Sequence, residues 1–453
     1  MGSATNGGSR PRVSFIVVCK PASGAGLDEM RDNLTAENVG SFLPGGKTKY
    51  GVIADLKKLG FKVYDENSPV VSAEGSVGQF QTLFKTKLTY QKQDCGGGVQ
   101  QDYCQIDKNA QPADISVIRN SLLIVPLQMP VESSAAIPPA TPAFHLRHPG
   151  DIAMMTKAGL VHRRSVAGQP ATGLGVRVAM IDNGIYGHTY YKENGYNLET
   201  ICAKDATPPA DFDQTGHGTR NAANIFSCAP DAEVIGVKMG PNPILAFNRA
   251  AALRPQVIVC SWGFDLRDES ELPSQHFALK LVVLELLSRN IPMVFSGGNT
   301  GSKDFPAMLP DVIAVGGVTV EKGKLTAHKE ASSFVHRIFP KRSVPDICGV
   351  SAPTMVPTSP HSAPREGASP WRIKAGTSAA APQIAGVIAL LLQKNPRLEP
   401  LEIKNILCRS AVDVKRGVSA MGHKANRKRD RATGAGLVDA FKAWKSTPRP
   451  RTP

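Results

Sequence analysis

The chain has 453 residues, 42% of them apolar and 20% charged, and 53 Lys and Arg against 38 Asp and Glu give a formal net charge of +15. That length accommodates two or three domains of roughly 100–200 residues, and the apolar share excludes a chain that is disordered throughout. A membrane span is excluded as well, because the longest clean apolar run, Val387–Leu392, falls far short of the roughly 20 residues a bilayer requires.

Residues 1–13 are Gly/Ser-rich and polar and read as a flexible N-terminus. The apolar stretch Phe15–Cys19 stops at Lys20, too short for a secretory h-region, so the cytosol is the default expected location, with secretion by another route left open. Among the eight cysteines none forms a C-x-x-C pair, which argues against a zinc cluster. Without an export signal the thiols are expected to be reduced. Cys95 and Cys104, flanking Gly96-Gly97-Gly98, are the pair best placed for a bridge.

Residues 14–130 read as one small α+β unit. Ser14–Lys20 is a β-branched run and hence a strand. Gly46–Gly60 carries Val52, Leu56 and Leu59 at helical spacing and closes on Gly60. Phe61–Tyr64 and Val70–Ser72 are short strands, Val77, Phe80, Leu83 and Phe84 mark an amphipathic helix, and Val117–Val125 is a last strand. The order β-α-β-β-α-β is that of a ferredoxin-like module.

Residues 131–150, rich in Pro, Ala and Ser without periodicity, read as an extended, accessible linker. From 151 to 445 strands and helices alternate. Val176–Ile181, Glu233–Lys238, Val257–Ser261, Pro292–Ser296 and Val312–Val315 are short and almost wholly apolar, as buried parallel strands are. The expected fold class is therefore α/β: a doubly wound, mostly parallel sheet, preceded by the small ferredoxin-like domain. Residues 446–453 are a tail. From Arg409 to Pro453 twelve Lys/Arg face three Asp/Glu, a net of +9. The densest part, Lys424–Arg431, could bind nucleic acid or an anionic surface. It lacks interleaved aromatic residues, so a solvated loop is the preferred reading and nucleic acid is not an expected partner.

Three islands carry chemistry. Val176–Gly184 delivers Asp182 at the end of a buried strand, Gly216-His217-Gly218-Thr219 sets a histidine between glycines, and Gly376-Thr377-Ser378 opens a helix with Pro382 expected in its first turn. A serine hydroxyl is a poor nucleophile until a neutral imidazole takes its proton, and a carboxylate holds that imidazole in one tautomer. The helix N-terminus beside Ser378 offers an N–H to a developing oxyanion. Asn299, just past Ser296-Gly297-Gly298, offers a second donor. Each island alone has a plainer explanation, such as a strand-end cap or a helix N-cap. The ordered set Asp182, His217, Asn299, Ser378 is far more specific.

With these motifs the chain resembles the subtilisin family of serine proteases, the subtilases. The matching stretches are Ile181–Ile185 with His188, Gly216–Thr219, Ser261-Trp262-Gly263, Gly298-Asn299, Phe305-Pro306-Ala307 leading to Val315-Gly316-Gly317, Gly376–Pro382 and Gly434–Ala440. The order Asp, His, Ser is the one found in subtilisin. The resemblance implies that Asp182, His217 and Ser378 form a triad and that Asn299 is the oxyanion donor. It also implies that Ser261, Trp262 and Gly263 form an edge strand pairing with substrate. Ser296, Gly297 and Gly298 would line the pocket for the side chain before the scissile bond. Trp262 is equally compatible with a buried strand aromatic.

The expected partners follow from the same resemblance: a protein or peptide substrate, and the chain's own prodomain as an intramolecular inhibitor. Subtilases are commonly made as zymogens with a ferredoxin-like prodomain. The stretch Val71–Gly75 with Phe80–Leu88 is similar to prodomains of the related sedolisins. A sedolisin catalytic domain would carry Glu in place of His217 and Asp in place of Asn299, and this chain does not. The linker or Arg163-Arg164 is the expected cleavage zone. No acidic cluster assures a family-type calcium site, so no metal ligand is assigned and calcium dependence is left open. Pro340–Pro370, with seven prolines, reads as a long surface loop before Ser378. The expected function is a serine endopeptidase. The alternative is a catalytically idle scaffold of the same fold that binds a protein partner. An α/β-hydrolase esterase is disfavoured, since Ser378 lacks a Gly-x-Ser-x-Gly elbow.

Overall fold

The computed structural model describes residues 11–64, 67–94, 100–127, 130–132, 145–362 and 370–450. Cys95 and most of the stretch read as a linker lie outside them. Among the described cysteines none is bonded to another.

The first part of the chain forms β1 (Arg12–Cys19), α1 (Gly46–Lys58), β2 (Lys62–Tyr64), β3 (Val70–Ser76), α2 (Val77–Leu83), a hairpin of β4 (Leu88–Asp94) and β5 (Gln100–Ile106), and β6 (Ser121–Pro126). Its antiparallel sheet has the order β2-β3-β1-β6. The Ser76 hydroxyl caps α2 by accepting from the Gln79 amide at 3.1 Å. Strand alternation splits β1 between two cores. Phe15, Val17 and Cys19 pack on the unit's own helices with Phe61, Phe80 and Phe84. Ile16 and Val18 face the opposite way and join a core built from the second part of the chain.

That second part follows β7 (Val131–Glu132) and contains β8 (Arg177–Asp182), β9 (Leu198–Cys202), α3 (His217–Cys228), β10 (Glu233–Lys238), α4 (Pro243–Ala252), β11 (Val257–Cys260), β12 (Trp262–Asp265), α5 (Ser274–Ser288), β13 (Met293–Ser296), β14 (Asp304–Phe305), β15 (Ile313–Glu321), β16 (Lys324–Ala327), β17 (Ile347–Val350) and α6 (Thr377–Lys394). The main sheet runs β9-β10-β8-β11-β13-β15-β16, with β17 also beside β15. All its pairings are parallel except β15 with β16. The chain first builds to one side of β8 and then crosses to the other, which places the carboxyl end of β8 at a topological switch point, where such sheets put their sites.

Pro340–Pro370 is not a surface loop throughout. All four residues of β17 are buried, and its register runs from Val315↔Ile347 to Val318↔Val350. A four-residue strand between Pro345 and Pro353 is hard to see from sequence, because prolines bound it on both sides and mimic a loop signature. Residues 363–369 of this stretch lie outside the described set.

Candidate active site

Asp182 ends β8 and His217 opens α3, and the structure brings them into contact. The imidazole Nδ1 lies 2.8 and 3.0 Å from the two carboxylate oxygens of Asp182. Glycine makes this approach possible. A Cβ on Gly218 would sit 1.9 Å from the Gly184 carbonyl oxygen, so no side chain fits where α3 starts against the turn after Asp182. The amide nitrogen of Asn221, one helical turn on, lies 3.1 Å from Nδ1 and 3.3 Å from Nε2. Near-equal distances to both nitrogens place it over the ring face, where it fixes the ring's tilt.

Asp213 supports this arrangement from behind. Its carboxylate accepts from the Thr219 amide at 2.8 Å and the Thr219 hydroxyl at 2.6 Å. Burial raises its pKa, with the Thr219 bonds opposing the shift. The Asp213 carboxylate thus pins the first turn of α3. Sequence reasoning missed it, although an acid four residues before His217 in a Thr/Gly turn was a usable signal.

Ser378 is the second residue of α6. Pro382, four residues later, has no N–H to give the Ser378 carbonyl. Ser261 fills that gap: its hydroxyl donates to the Ser378 carbonyl at 2.9 Å, and the Ser378 hydroxyl donates back to the Ser261 carbonyl at 3.1 Å. Pro382 is therefore placed beyond the first turn, unlike the sequence expectation, and its missing donor leaves the Ser378 carbonyl to Ser261, the residue just before β12. Gln383 ties α6 to α3 by donating to the Asn224 side chain at 2.9 Å.

Asn299 has a division of labour. Its Oδ1 accepts from the Thr377 amide at 3.0 Å and the Thr377 hydroxyl at 3.2 Å. Its Nδ2 is buried and has no partner. A buried amide donor without a partner is rare in folded proteins, and here it sits beside the residue that precedes Ser378.

The expected substrate edge is partly occupied. β12 pairs antiparallel with β7 of the same chain, Trp262 opposite Glu132 and Gly263 opposite Val131. In that antiparallel register Glu132, rather than Val131, is opposite the end of β12 that adjoins Ser261. Trp262 is not a pocket residue. Its ring is 1% exposed, packs among Phe247, Phe264 and Phe295, and donates to the Ile181 carbonyl at 2.9 Å. It positions Asp182 by bonding the residue before it. A strand aromatic can face either way, and only the tertiary packing decides. His188 serves as a helix cap, accepting from the Tyr190 amide at 3.0 Å. Asp182, His217 and Ser378 are each at most 2% exposed, so the site is closed in this state. Among the described residues no group of three His, Cys, Asp or Glu is placed to hold a metal, and no helix is long and apolar enough to cross a membrane.

The profile of the subtilase family matches residues 173–436, more than half of the chain, and the chain belongs to that family. It is similar to the serine protease AprX of Bacillus subtilis (strain 168), with 29% identity over 281 residues, covering 53% of this chain and 62% of that protein. A subtilisin-like protease, PopC of Myxococcus xanthus, is 27% identical over 283 residues, covering 55% of this chain and 58% of the other. This chain thus spans less than two thirds of either relative. Among solved structures, the chain resembles fervidolysin from Fervidobacterium pennivorans, a keratinolytic enzyme related to subtilisin. The TM-score is 0.60 at 18% identity, covering 98% of this chain and 63% of that one. Pseudomonas sedolisin, a serine-carboxyl proteinase, aligns with a TM-score of 0.54 at 19% identity, covering 67% of this chain and 98% of that one. At these identities the two likenesses establish the fold: an α/β, subtilisin-like architecture.

Proposed function

We propose that this chain is a serine endopeptidase of protein or peptide substrates, made as a zymogen. In this reading Ser378 Oγ attacks the scissile carbonyl as His217 takes its proton. Asp182 holds the imidazole by Nδ1 and stabilises it when charged. The Asn299 Nδ2–H and the N-terminus of α6 receive the oxyanion. The carrying observation is that orphan Asn299 donor. An idle scaffold would gain by satisfying it, whereas an oxyanion site needs it vacant until the transition state.

Residues 14–130 act as the inhibitory prodomain, 131–150 as the linker and 151–445 as the peptidase domain. Support comes from β7 pairing antiparallel with β12, with Glu132 opposite Trp262, the residue after Ser261. It follows that self-cleavage falls shortly after Glu132. The dibasic alternative is disfavoured by packing. Residues 150–161 upstream of Arg163-Arg164 contribute Ile152, Ala158 and Val161 to the peptidase core, and the Arg164 guanidinium stacks on Phe441 at 5.1 Å. A cut at 163–164 would separate buried segments from their own domain.

Labelling with a fluorophosphonate probe tests the reading. Incubated protein should be labelled on one serine, and labelling should vanish in Ser378→Ala and His217→Ala while both variants remain folded by circular dichroism. Equal labelling of all three proteins, or none in the parent, would refute a Ser378-based hydrolase.

A further inference from the structure

Three cations close on one crevice where the two units meet. Arg31, on the helix Leu27–Asn33 of the first unit, reaches the start of α5, where its Nη2 donates to the Ser274 hydroxyl at 2.9 Å. Arg337 lies in the turn between the paired strands Phe334–His336 and Phe339–Val344, and its guanidinium donates to the backbone carbonyls of Asp268 and Glu269. Lys280, within α5, is only 8% exposed, and its ammonium sits over the Phe339 ring, 6.0 Å from the centroid. These three side chains line a cavity of about 350 Å³, with Leu272, Phe277, Ile338 and Phe339 as its apolar wall.

Among the described residues none of the three cations has a carboxylate partner. Asp32 and Glu271 also border the cavity, but both are exposed, and neither forms an ion pair with Arg31, Lys280 or Arg337. Burying an ammonium without a counter-ion is costly. Burial lowers the Lys280 pKa, and Asp311, beyond ion-pair distance, offsets only part of that shift. A leucine or methionine would avoid the cost, since α5 is otherwise apolar from Phe277 to Leu284. The Nε–H of Arg31 is buried as well and has no acceptor, a rare state for a donor. An unpaired cation and an unmet donor, one from each unit, suit a carboxylate.

We infer that this crevice is a binding site for a small organic carboxylate with an apolar body. Lys280 and Arg31 take the carboxylate, and Leu272, Phe277 and Ile338 take the body, the division of labour usual in small-ligand sites. Because the cavity is built by both units, an occupied site ties the first unit to the second. The inference stands apart from the proposed peptidase reading. Arg31, Lys280 and Arg337 lie far apart along the chain, so no sequence pattern joins them.

The test is calorimetric titration of the full chain carrying Ser378→Ala, a background that removes any self-cleavage. The probe is benzoate, with benzamide as its neutral near-isostere and acetate as the charged head without the body. Benzoate should bind at one site, at least ~10-fold tighter than either control. Lys280→Met, which keeps the side chain long and drops its charge, and Arg31→Ala should each weaken benzoate by a similar factor. Saturating benzoate should also raise the thermal midpoint of the parent and leave that of Lys280→Met unmoved, a readout that needs only a folded variant. Benzoate bound no tighter than benzamide or acetate, or bound undiminished by either variant, overturns the inference. A midpoint raised equally in parent and Lys280→Met does so too.

Discussion

β1 in the first unit and β8 in the second are both central strands with almost every residue buried, yet they reach that state differently. β8 divides its side chains between two helical layers that both belong to its own half of the chain: Val178 and Met180 face the core of α3 and α6, while Ala179 and Ile181 face that of α4 and α5. β1 covers one face with its own helices, but Ile16 and Val18 meet the outer side of the α4–α5 layer. That helix layer is thus shared by two sheets, and α5 is apolar nearly all round for this reason, from Phe277 to Leu287. One sheet is structurally self-sufficient and the other completes itself by docking. A unit built this way can be held firmly and still be detachable, which is what an intramolecular inhibitor requires.

The comparison can be broken from either side. The largest effect is expected in the self-sufficient unit, at Asn299, the proposed oxyanion donor. Asn299→Ala should lower kcat by about 10²–10³-fold with KM little changed, measured on any cleavable peptide. A drop below tenfold would remove Asn299 from the chemistry. Next comes the docking unit. Phe80 is fully buried, with Phe15 and Phe84 at 5.0 and 4.8 Å, and Phe80→Ala should cost its unit about 3–5 kcal/mol. In a urea titration followed by peptidase activity, the variant should become active at lower urea than the parent. Loss of activity in step with unfolding would mean the two units are one cooperative block.

The smallest effect is electrostatic and lies where the units meet. Burial pushes the Asp205 carboxyl up to about 6; the Asn242 amide opposes the shift, and from the first unit the Glu74 carboxylate adds to it while the Lys62 ammonium partly offsets it. The Glu74 contribution arises only in the docked chain and penalises an ionised Asp205, so it is absent well below pH 4, grows through pH 4–6 and is complete above about pH 7. Asp205→Asn should therefore strengthen docking modestly at pH 7.5, by less than about 1 kcal/mol, with the gain shrinking toward zero as the pH falls below 4. Release of the first unit, followed by fluorescence anisotropy across that range, would show the convergence at low pH. A constant offset at all pH values would contradict the assignment.

Much of the site was legible in the chain because its residues sit in short motifs that each serve local backbone needs. Asp182 lies at a strand end, His217 between glycines and Ser378 at a helix start, and the fold sets His217 Nδ1 against the Asp182 carboxylate and the Ser378 hydroxyl against the Ser261 carbonyl. What stayed hidden depends on tertiary closure. Trp262 could have faced cleft or core, and its bond to the Ile181 carbonyl settles it for the core. The Ser261–Ser378 exchange of hydrogen bonds follows from a missing proline donor four residues downstream, a consequence visible only once α6 is known to continue past Pro382. The pairing of β7 with β12 likewise joins segments 130 residues apart by two residues on each side, too short a match for any pattern to predict.

The central claim is that one chain carries both a peptidase and the segment that blocks it, and intact mass spectrometry tests that most directly. Purified wild type incubated at neutral pH should resolve into two fragments whose boundary falls within a few residues after Glu132, with Ser378→Ala remaining a single full-length species. Wild type that stays full length, or an identical cut in Ser378→Ala, would contradict the account.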